Sequence, residues 1–490
     1  MVTALYDCRS KQEYIYRTNK IREISGASTI LTKIYDWMID EAETHGIQID
    51  RTWKDREKPF DKEAFAASGD DGIVIYEGGG NLFVLYKNRE TYVKVNRIFT
   101  RMLLERTYSV SIITACVETT DNFAEDRKKL YRQKALTKNT GTYSAVCNVL
   151  PFTQLDRMTM MPIVTERVID DKKHQLTKER DLKLHEYLIP QKSEDLHSEH
   201  LDDLTDVDDS LLAVIYIDGN DMGNKIKACT EGKEQYPDCV EALRSFSLRT
   251  YEIFVKKPLE AIERCLRQKN ENESDLIKAG NRKEHKYRKI IGSGDEITII
   301  CRAEDAADIV HAYFEELAGM QELAPGKPNA SCAGIAIFHS HAPFADVYEI
   351  AEACCESGKK RTRESGSTVS YIDFHYCHSG ITNELDVLRE TQEKDLTARP
   401  YSVEKFAEFR KLIHVLSHPC IGRSNVKSLG EAIIQGEAAY LLELERLRAR
   451  DTEGDFTRLI DSAASVEEKK DLKQQIYDAS VIFDLWKEDE

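Results

Sequence analysis

Several features of other protein classes are missing from this chain of 490 residues. No apolar run approaches the ~18 residues that a membrane-spanning helix needs. The twelve cysteines include no C-x-x-C pair, which argues against a structural zinc site. The N-terminal stretch Met1 to Asp7 is typical of a strand and lacks the charged and then apolar plan of a signal peptide. We therefore expect a cytoplasmic protein with reduced thiols and no membrane partner.

An excess of positive charge is also absent, because the formal net charge is −17 at pH 7. Non-specific binding to duplex DNA needs many phosphate contacts, so we expect no DNA partner. A local basic pocket for a nucleotide is compatible with this charge. Hydrophobic residues make up 41% of the chain and charged residues 32%, enough for packed domains with a well-solvated surface. At ~150 residues per domain, the length predicts about three domains.

The most informative segment runs from Ile290 to Ile300, where Gly-Ser-Gly-Asp-Glu separates two groups of β-branched residues. A glycine turn between apolar strands predicts a β-hairpin with Asp295 and Glu296 at its tip. Adjacent acids repel each other unless a divalent cation holds them together. A second apolar strand, residues 211–217, ends at Asp218. If the two strands pair, the three carboxylates meet, as is typical of a two-magnesium phosphoryl-transfer site.

The residues around these acids are candidates for binding a triphosphate. Gly219 and Asn220 would bring backbone groups near the phosphates, and Gly223 begins a helix whose N-terminus favours anions. Asp221 either supports Asp218 or simply begins that helix. The candidate metal ligands are Asp218, Asp295 and Glu296; the candidate nucleotide-binding residues beside them are Gly219, Asn220, Asp221, Gly223, Ser293, Gly294 and Lys359. The alternative is an exposed acidic turn with no ligand.

One unit occurs twice along the chain. Each copy has a strand that ends in aspartate, a helical stretch, a hairpin, a helix, a strand and a final helix. The pieces of the first copy are residues 3–6, 11–38, 72–86, 91–105, 109–117 and 122–138, and the later pieces of the second are residues 290–300, 303–318, 331–338 and 343–359. Chance similarity of two α/β units is the alternative. This order of elements describes a ferredoxin-like palm, an antiparallel sheet backed by helices.

The fold class that follows is α+β, with tandem ferredoxin-like palm domains and a C-terminal helical domain. The expected divisions are a first palm at 1–148, a polar linker or insertion at 149–209, a second and catalytic palm at 210–378, and helices at 379–490. A polar insertion at 268–289 is predicted to be a mobile loop. The first palm is expected to be degenerate, because its hairpin Gly78-Gly79-Gly80-Asn81 has Gly80 and Asn81 where the metal-binding acids would stand.

The second unit resembles the second palm of the Cas-ten (Cmr-two) proteins, the large subunits of type III CRISPR effector complexes. The resemblance lies in Asp-Gly-Asn-Asp-Met-Gly at 218–223, Gly-Ser-Gly-Asp-Glu at 292–296 and the helix at 351–359. The first unit resembles that family's first palm through residues 12–15, 26–28 and 78–81. The GGDEF diguanylate cyclases share the palm as more distant relatives.

The resemblance implies that two palms face each other with two ATP molecules between them, and that the second palm makes cyclic oligoadenylates. It implies Mg²⁺ or Mn²⁺ as cofactor, nucleoside triphosphates (ATP favoured) as ligands, and RNA or CRISPR-type subunits as partners. The Gly78-Gly79-Gly80-Asn81 loop would then face the second nucleotide. The family's Gly-Gly-Asp-Asp is replaced by a sequence that ends in Glu296, as in the diguanylate cyclases, which leaves GTP open. The chain has no His-Asp dipeptide, so we expect the family's nuclease domain to be absent.

Three functions fit these observations. The first is a magnesium-dependent nucleotidyltransferase that joins nucleoside triphosphates into a cyclic signal. The second is a catalytically silent tandem-palm scaffold that binds RNA or partner subunits, and the third is a template-directed polymerase. A silent scaffold would have no reason to keep acids on both strands of the second palm. We therefore favour the nucleotidyltransferase.

Overall fold

The computed structural model describes residues 1–18, 20–140, 152–169, 171–188, 196, 198, 201–207, 209–233, 235–366, 368–377, 384–419 and 421–486. The structure contains two mixed sheets, of five and six strands, and a separate two-stranded hairpin. Helices pack against these sheets. The predicted α+β class with tandem palms and C-terminal helices is confirmed. No helix in the described part of the chain is long and apolar enough to cross a membrane.

The first palm follows the expected order of elements. They are β1 (Val2–Cys8), α1 (Lys11–Tyr16), α2 (Ile21–Thr44), β2 (Ile49–Asp50), α3 (Lys62–Ala67), β3 (Gly72–Gly78), β4 (Asn81–Tyr86), α4 (Arg89–Arg106), β5 (Ile112–Glu118) and α5 (Phe123–Thr140). The strand order is β2-β3-β4-β1-β5, with β1 antiparallel to β4 and β5. The helical stretch expected at 11–38 is formed by α1 and α2, and between them the buried Thr18 hydroxyl donates to Glu23 at 2.7 Å.

The segment expected to be a polar linker contains a hairpin and a helix, β6 (Ile163–Ile169), β7 (Lys172–Thr177) and α6 (Lys178–Leu188). Helix α6 packs so closely on α2 that a Cβ at Gly26 would lie 1.8 Å from the Lys183 carbonyl oxygen. Buried Lys183 donates to Glu179 at 2.6 Å, and Arg180 donates to Glu23 at 2.8 Å. This part of the expected linker or insertion is therefore folded against the first palm, because paired charges can be buried where isolated ones cannot.

The second palm is larger than the first. Its elements are β8 (Leu211–Gly219), α7 (Met222–Thr230), α8 (Tyr236–Tyr251), α9 (Lys257–Asn272), α10 (Ser274–Lys278), β9 (Tyr287–Ser293), β10 (Glu296–Arg302), α11 (Ala306–Gly319), β11 (Ser331–His339), α12 (Phe344–Ser365) and β12 (Tyr371–Tyr376). The insertion at 268–289 is ordered rather than a mobile loop, because α9 extends into it and His285 within it is fully buried between carboxylates.

The C-terminal helices share a core with the second palm. The elements are α13 (Leu385–Leu388), β13 (Tyr401–Ser402), α14 (Val403–Ser417), α15 (Arg423–Gln435), α16 (Glu437–Arg448), α17 (Asp455–Ser462) and α18 (Val466–Ile482). Strand β13 joins the sheet beside β12, giving the order β13-β12-β11-β8-β10-β9. Phe374 of β12 contacts the rings of Tyr401, Phe409 and Trp486. These helices therefore complete the palm's core.

Strand β8 divides the two hydrophobic cores by the alternation of its side chains. Leu212, Val214 and Tyr216 belong to the core shared with the first palm and α12. Ala213, Ile215 and Ile217 belong to the core shared with α9, α11 and the C-terminal helices. Asp218 continues the first series, so it lies on the face of the sheet that looks toward the first palm.

Candidate functional site

The three predicted acids meet at one end of the second sheet. Strands β8 and β10 pair antiparallel, and Asp218 lies directly opposite Glu296. Opposed residues in such a pair project from the same face with Cβ atoms about 4.5–5.5 Å apart. Asp295 lies in the adjoining turn, after Gly294, whose φ of 64° suits glycine. The pairing that the sequence analysis assumed is present.

Gly219 is required by this packing. A Cβ there would lie 2.4 Å from the methyl carbon of Met222 and 2.8 Å from Oδ2 of Asp295. Any larger residue at the end of β8 would push the Asp295 carboxylate away from the strand. The described contacts therefore give Gly219 a close-packing role beside the acids.

The acids are destabilised as anions by their surroundings. Burial and then the charge of Asp218 raise the pKa of Asp295 to about 7, against the opposing effect of Lys359. Burial, Asp218 and Asp295 raise the pKa of Glu296 to about 8. Carboxylates in this state favour either protons or a cation. Their hard oxygen donors suit Mg²⁺ or Mn²⁺.

Lys359 supplies the one positive charge in direct contact with these acids among the described residues. Its ammonium group donates to Oδ2 of Asp218 from helix α12. Burial by itself lowers the pKa of Lys359, but the attraction of Asp218 outweighs burial and holds that pKa above its ordinary value. The predicted lysine is therefore at the acidic site, where it partly neutralises Asp218.

The three carboxylates are adjacent, but their oxygen atoms are not close enough together to bind one metal ion as they stand. In the described part of the chain, the group whose ligand atoms all lie within 4.8 Å of one another is His285, Glu304 and Asp305. Asp218, Asp295 and Glu296 do not form such a group. Binding a divalent cation among them would require Lys359 to release Asp218 and the carboxylates to converge. The donor set fits the metal by its chemistry.

The His285 group is a salt-bridge network. Nδ1 of His285 contacts Asp305 at 2.8 Å and Nε2 contacts Glu273 at 3.0 Å. Lys269 contacts Asp305 at 2.8 Å, and Arg282 contacts Glu304 at 2.6 Å. Protein cations thus occupy the carboxylates that a metal would need. This network was not predicted from the sequence, because four of its members, Lys269, Glu273, Arg282 and His285, come from an insertion that looked merely polar.

The turn after Asp218 differs from the expectation at one position. The backbone N–H of Asn220 donates to Ala330 at 2.8 Å, and its carbonyl accepts from the buried Lys225 ammonium at 2.7 Å. Its side-chain amide is also turned inward, toward Cys332 and Val369. Both backbone groups are engaged within the protein, so the expected contact of Asn220 with a triphosphate is not supported. Asn220 instead stabilises the turn.

The other candidates around this turn remain accessible. Asp221 has a φ of 59° and accepts from the Asn224 amide at 2.5 Å, which places it just before α7. Gly223 has open space where a Cβ would be. Ser293 is exposed and pairs with Glu296 across the hairpin. The N-terminus of α7 and this hairpin tip therefore border the same acidic end of the sheet.

The first palm has the same geometry with different side chains. Asp7 lies opposite Asn81 in the β1–β4 pair, as Asp218 lies opposite Glu296. Gly78 pairs with Asn81 as Ser293 pairs with Glu296, so Gly79 and Gly80 stand at the positions of Gly294 and Asp295. Lys134 of α5 contacts Asp7 at 3.0 Å. Sequence spacing matched Lys138 to Lys359, but Lys134 makes the equivalent contact, one turn earlier.

The two palms meet beside the acids. The ring of Tyr16 stacks on that of Tyr348 with a centroid distance of 4.0 Å. The Gln12 amide donates to Glu352 at 2.8 Å. Both contacts join α1 of the first palm to α12 of the second. The acidic end of the second sheet therefore faces a surface of the first palm.

No protein-family model matches the chain, and no curated protein matches it. Among solved structures, a Csm1–Csm4 cassette in complex with cA3 is 12% identical with a TM-score of 0.51, covering 99% of this chain and 69% of its own. Csm1 of T. onnurineus is 13% identical with a TM-score of 0.50, covering 97% and 69%. An apo Csm1–Csm4 cassette is 10% identical with a TM-score of 0.50, covering 97% and 70%.

Tandem palms with helices at the C-terminus define the structural class of this chain. More particularly, its structural neighbours are Csm1 proteins, the Cas-ten subunits of type III CRISPR systems, as the sequence motifs predicted. At 10–13% identity the likeness is one of fold. The chain spans about 70% of the length of those subunits.

Proposed function

We propose that this chain is a metal-dependent nucleotidyltransferase that condenses nucleoside triphosphates, with ATP favoured, into a cyclic oligonucleotide signal in CRISPR-type antiviral defence. The observation that carries the proposal is the opposition of Asp218 and Glu296 across paired strands, with Asp295 in the adjoining turn. The fold of the Csm1 structures, one of them in complex with cA3, supports it.

The chemistry follows from the charges at the site. A 3′-hydroxyl attacks the α-phosphorus of a second triphosphate, a new O–P bond forms, and the hydroxyl proton and pyrophosphate leave. Asp218, Asp295 and Glu296 would hold Mg²⁺ or Mn²⁺, which neutralises phosphate charge and makes the hydroxyl more acidic. Lys359 on α12 would donate from its ammonium group to phosphate oxygens once it releases Asp218.

The facing palms explain how two nucleotides can be aligned. The reacting atoms must approach within about 3–3.5 Å in the right orientation, so donor and acceptor both need a fixed site. The second palm offers the acids, and the first palm offers the Gly78–Asn81 hairpin and Lys134 across the interface. One chain can therefore hold both nucleotides.

Two alternatives remain testable. Glu296 at the end of the motif is the feature shared with diguanylate cyclases, which favours testing GTP beside ATP. A silent scaffold that binds RNA or partner subunits is the second alternative. Because two of the similar solved structures contain Csm4 beside Csm1, we infer that the chain works with a comparable CRISPR subunit.

The test incubates the full chain with each labelled nucleoside triphosphate and Mg²⁺ or Mn²⁺, then resolves the products by mass. We expect a cyclic product from ATP. Asp295→Asn combined with Glu296→Gln should lower its formation at least about 100-fold, because both changes remove metal ligands. The matched control neutralises the acid pair before the other hairpin, Asp70→Asn with Asp71→Asn, and should keep full activity.

The metal-free stability of the variants gives a second readout. Replacing the two carboxylates with amides should raise the melting temperature. The amides carry no charge, so they neither repel each other nor require the burial of an anion. Full turnover by the double variant would show that the catalytic site lies elsewhere in the chain. Tight Mn²⁺ binding without any product from the four triphosphates, alone or with a partner subunit and RNA, would favour the scaffold.

A further inference from the structure

The two palms differ in charge at equivalent positions, which are neutral in the first palm and acidic in the second. Register places Gly80 where the second palm has Asp295 and Asn81 where it has Glu296. The first palm keeps only Asp7 of the three acids, and Lys134 neutralises it at 3.0 Å. Neither glycine nor the asparagine amide can replace a carboxylate as an anionic metal ligand.

A protein cation lies on the first hairpin instead. Nζ of Lys11 donates to the Gly79 carbonyl at 3.3 Å. A Cβ at Gly80 would lie only 1.4 Å from that Nζ, so the ammonium rests directly on the glycine. Gly80 itself is fixed, because the Tyr35 hydroxyl donates to its carbonyl at 2.9 Å. Glycine is therefore needed here to admit the lysine.

The lysine is also placed to act across the interface. Lys11 begins α1, the helix whose Gln12 and Tyr16 contact the second palm. It is partly exposed, and its positive charge opposes the rise in the pKa of Glu296. Glu77, the nearest acid on its own hairpin, is also faced by Lys54. The Lys11 ammonium group thus rests on the hairpin of the first palm and offsets part of the negative charge of the second.

We propose that the first palm binds the triphosphate of one nucleotide without a metal ion, with the ammonium groups of Lys11 and Lys134 supplying the positive charge that divalent cations supply in the second palm. This inference deepens the proposed function and rests on it for the identity of the ligand. Ammonium groups are suited to the task, since each is a compact charge with three donors for phosphate oxygens.

The experiment measures binding of ATP and of inorganic tripolyphosphate to the full chain by calorimetry, in EDTA and in Mg²⁺. We expect one ATP site per chain in EDTA and two in Mg²⁺. Lys11→Gln should weaken the EDTA site for both probes at least about 10-fold, the usual size of one lost charge-assisted contact. Lys134→Gln should weaken it as well. Lys94→Gln, which changes an exposed lysine of the same palm, is the control and should have no effect.

The double variant Asp295→Asn with Glu296→Gln separates the two sites. It should lose the Mg²⁺-dependent site and keep the EDTA site. Absence of an EDTA site in the wild type, unchanged binding by a folded Lys11→Gln protein, or loss of the EDTA site from the double variant would each overturn the inference. If the chain binds ATP in EDTA but never forms product, the inference about the first palm holds and the proposed function is wrong. If product forms but no ATP site is found in EDTA, the proposed function holds and the inference about the first palm is wrong.

Discussion

The position of Glu296 disfavours the ionised form of a carboxylate. It is partly buried, opposite Asp218 and beside Asp295, and these neighbours together with burial raise its pKa to about 8. The same repulsion is what gives a site its affinity for a divalent cation. Lys11 and Lys359 offset part of the charge from opposite sides.

His285 shows the reverse arrangement, a buried cation between carboxylates. Burial by itself lowers the pKa of His285, but Asp305 and Glu273 outweigh it and hold that pKa above the ordinary value of 6.5. Its charged form is therefore favoured in the folded protein. The insertion that carries His285 is ordered by this network.

A pH-dependent loss of stability follows for His285→Gln. Because the folded pKa is raised, the stabilisation by His285 is fully present below about pH 6.5 and is lost as the pH rises through the folded value. The variant should lose about 3 kcal/mol of unfolding free energy near pH 6, the usual cost of breaking a buried pair, and less near pH 9. Urea unfolding at both pH values measures this difference. His311→Gln, an exposed change on α11, is the control; an equal loss at both pH values would contradict the assignment.

At the scale of elements, helix α12 is positioned by two glycines. A Cβ at Gly334 of β11 would lie 1.9 Å from the Ala351 carbonyl oxygen and 2.5 Å from the Cys355 nitrogen. A Cβ at Gly358 would lie 3.0 Å from Tyr371. This close contact between helix and sheet sets where Lys359 reaches Asp218.

Gly334→Ala should therefore affect both stability and activity. The two atoms nearest to the added methyl group belong to the backbone of α12, so the helix must move, at a cost of about 3 kcal/mol. Lys359 moves with the helix, and product formation should fall. Thermal unfolding and the product assay measure the two effects. Gly319→Ala on α11 has open space beside it and should leave both unchanged; equal behaviour of the two variants would show that the contact is unimportant.

At the scale of the whole molecule, the palms depend on each other for the cleft. The Tyr16–Tyr348 stack fixes α1 against α12 next to Glu296. We expect Tyr16→Ala to lower product formation at least about 10-fold, because small displacements of bound reactants cost that much. ATP binding to the second palm in Mg²⁺ should persist. Tyr251→Ala, at an exposed site on α8, is the control. Loss of that binding together with activity would indicate general unfolding instead.

The C-terminal helices are just as necessary for the second palm. Asp373 of β12 is fully buried and accepts from Arg389 at 2.6 and 2.7 Å. Removing the chain after Cys377 would leave that charge unpaired and expose Phe374 to water. The second palm therefore needs these helices to complete its core.

Arg389→Ala tests this dependence without removing any segment. It should cost about 3–5 kcal/mol, since it leaves the buried Asp373 without its partner. Thermal unfolding measures the loss, and hydrogen exchange in β12 locates it. Arg363→Ala, which breaks an exposed ion pair with Glu356, should cost less than about 1 kcal/mol. A similar small cost for both changes would mean that the palm is stable without its C-terminal support.

The sequence by itself determined the local features of this protein. Apolar runs marked the strands, and a glycine turn placed Asp295 and Glu296 at a hairpin tip, because turn chemistry depends only on neighbouring residues. The repeat of the unit then predicted tandem palms.

Only the tertiary structure decided the contacts between distant residues. Arg180 is buried because Glu23, 157 positions earlier, accepts from it. Lys11 lies on Gly80 because α1 folds back over the first hairpin. From composition, such charged residues are expected to be exposed to solvent. A charge is buried without a large loss of stability only when the fold brings a partner of opposite charge beside it.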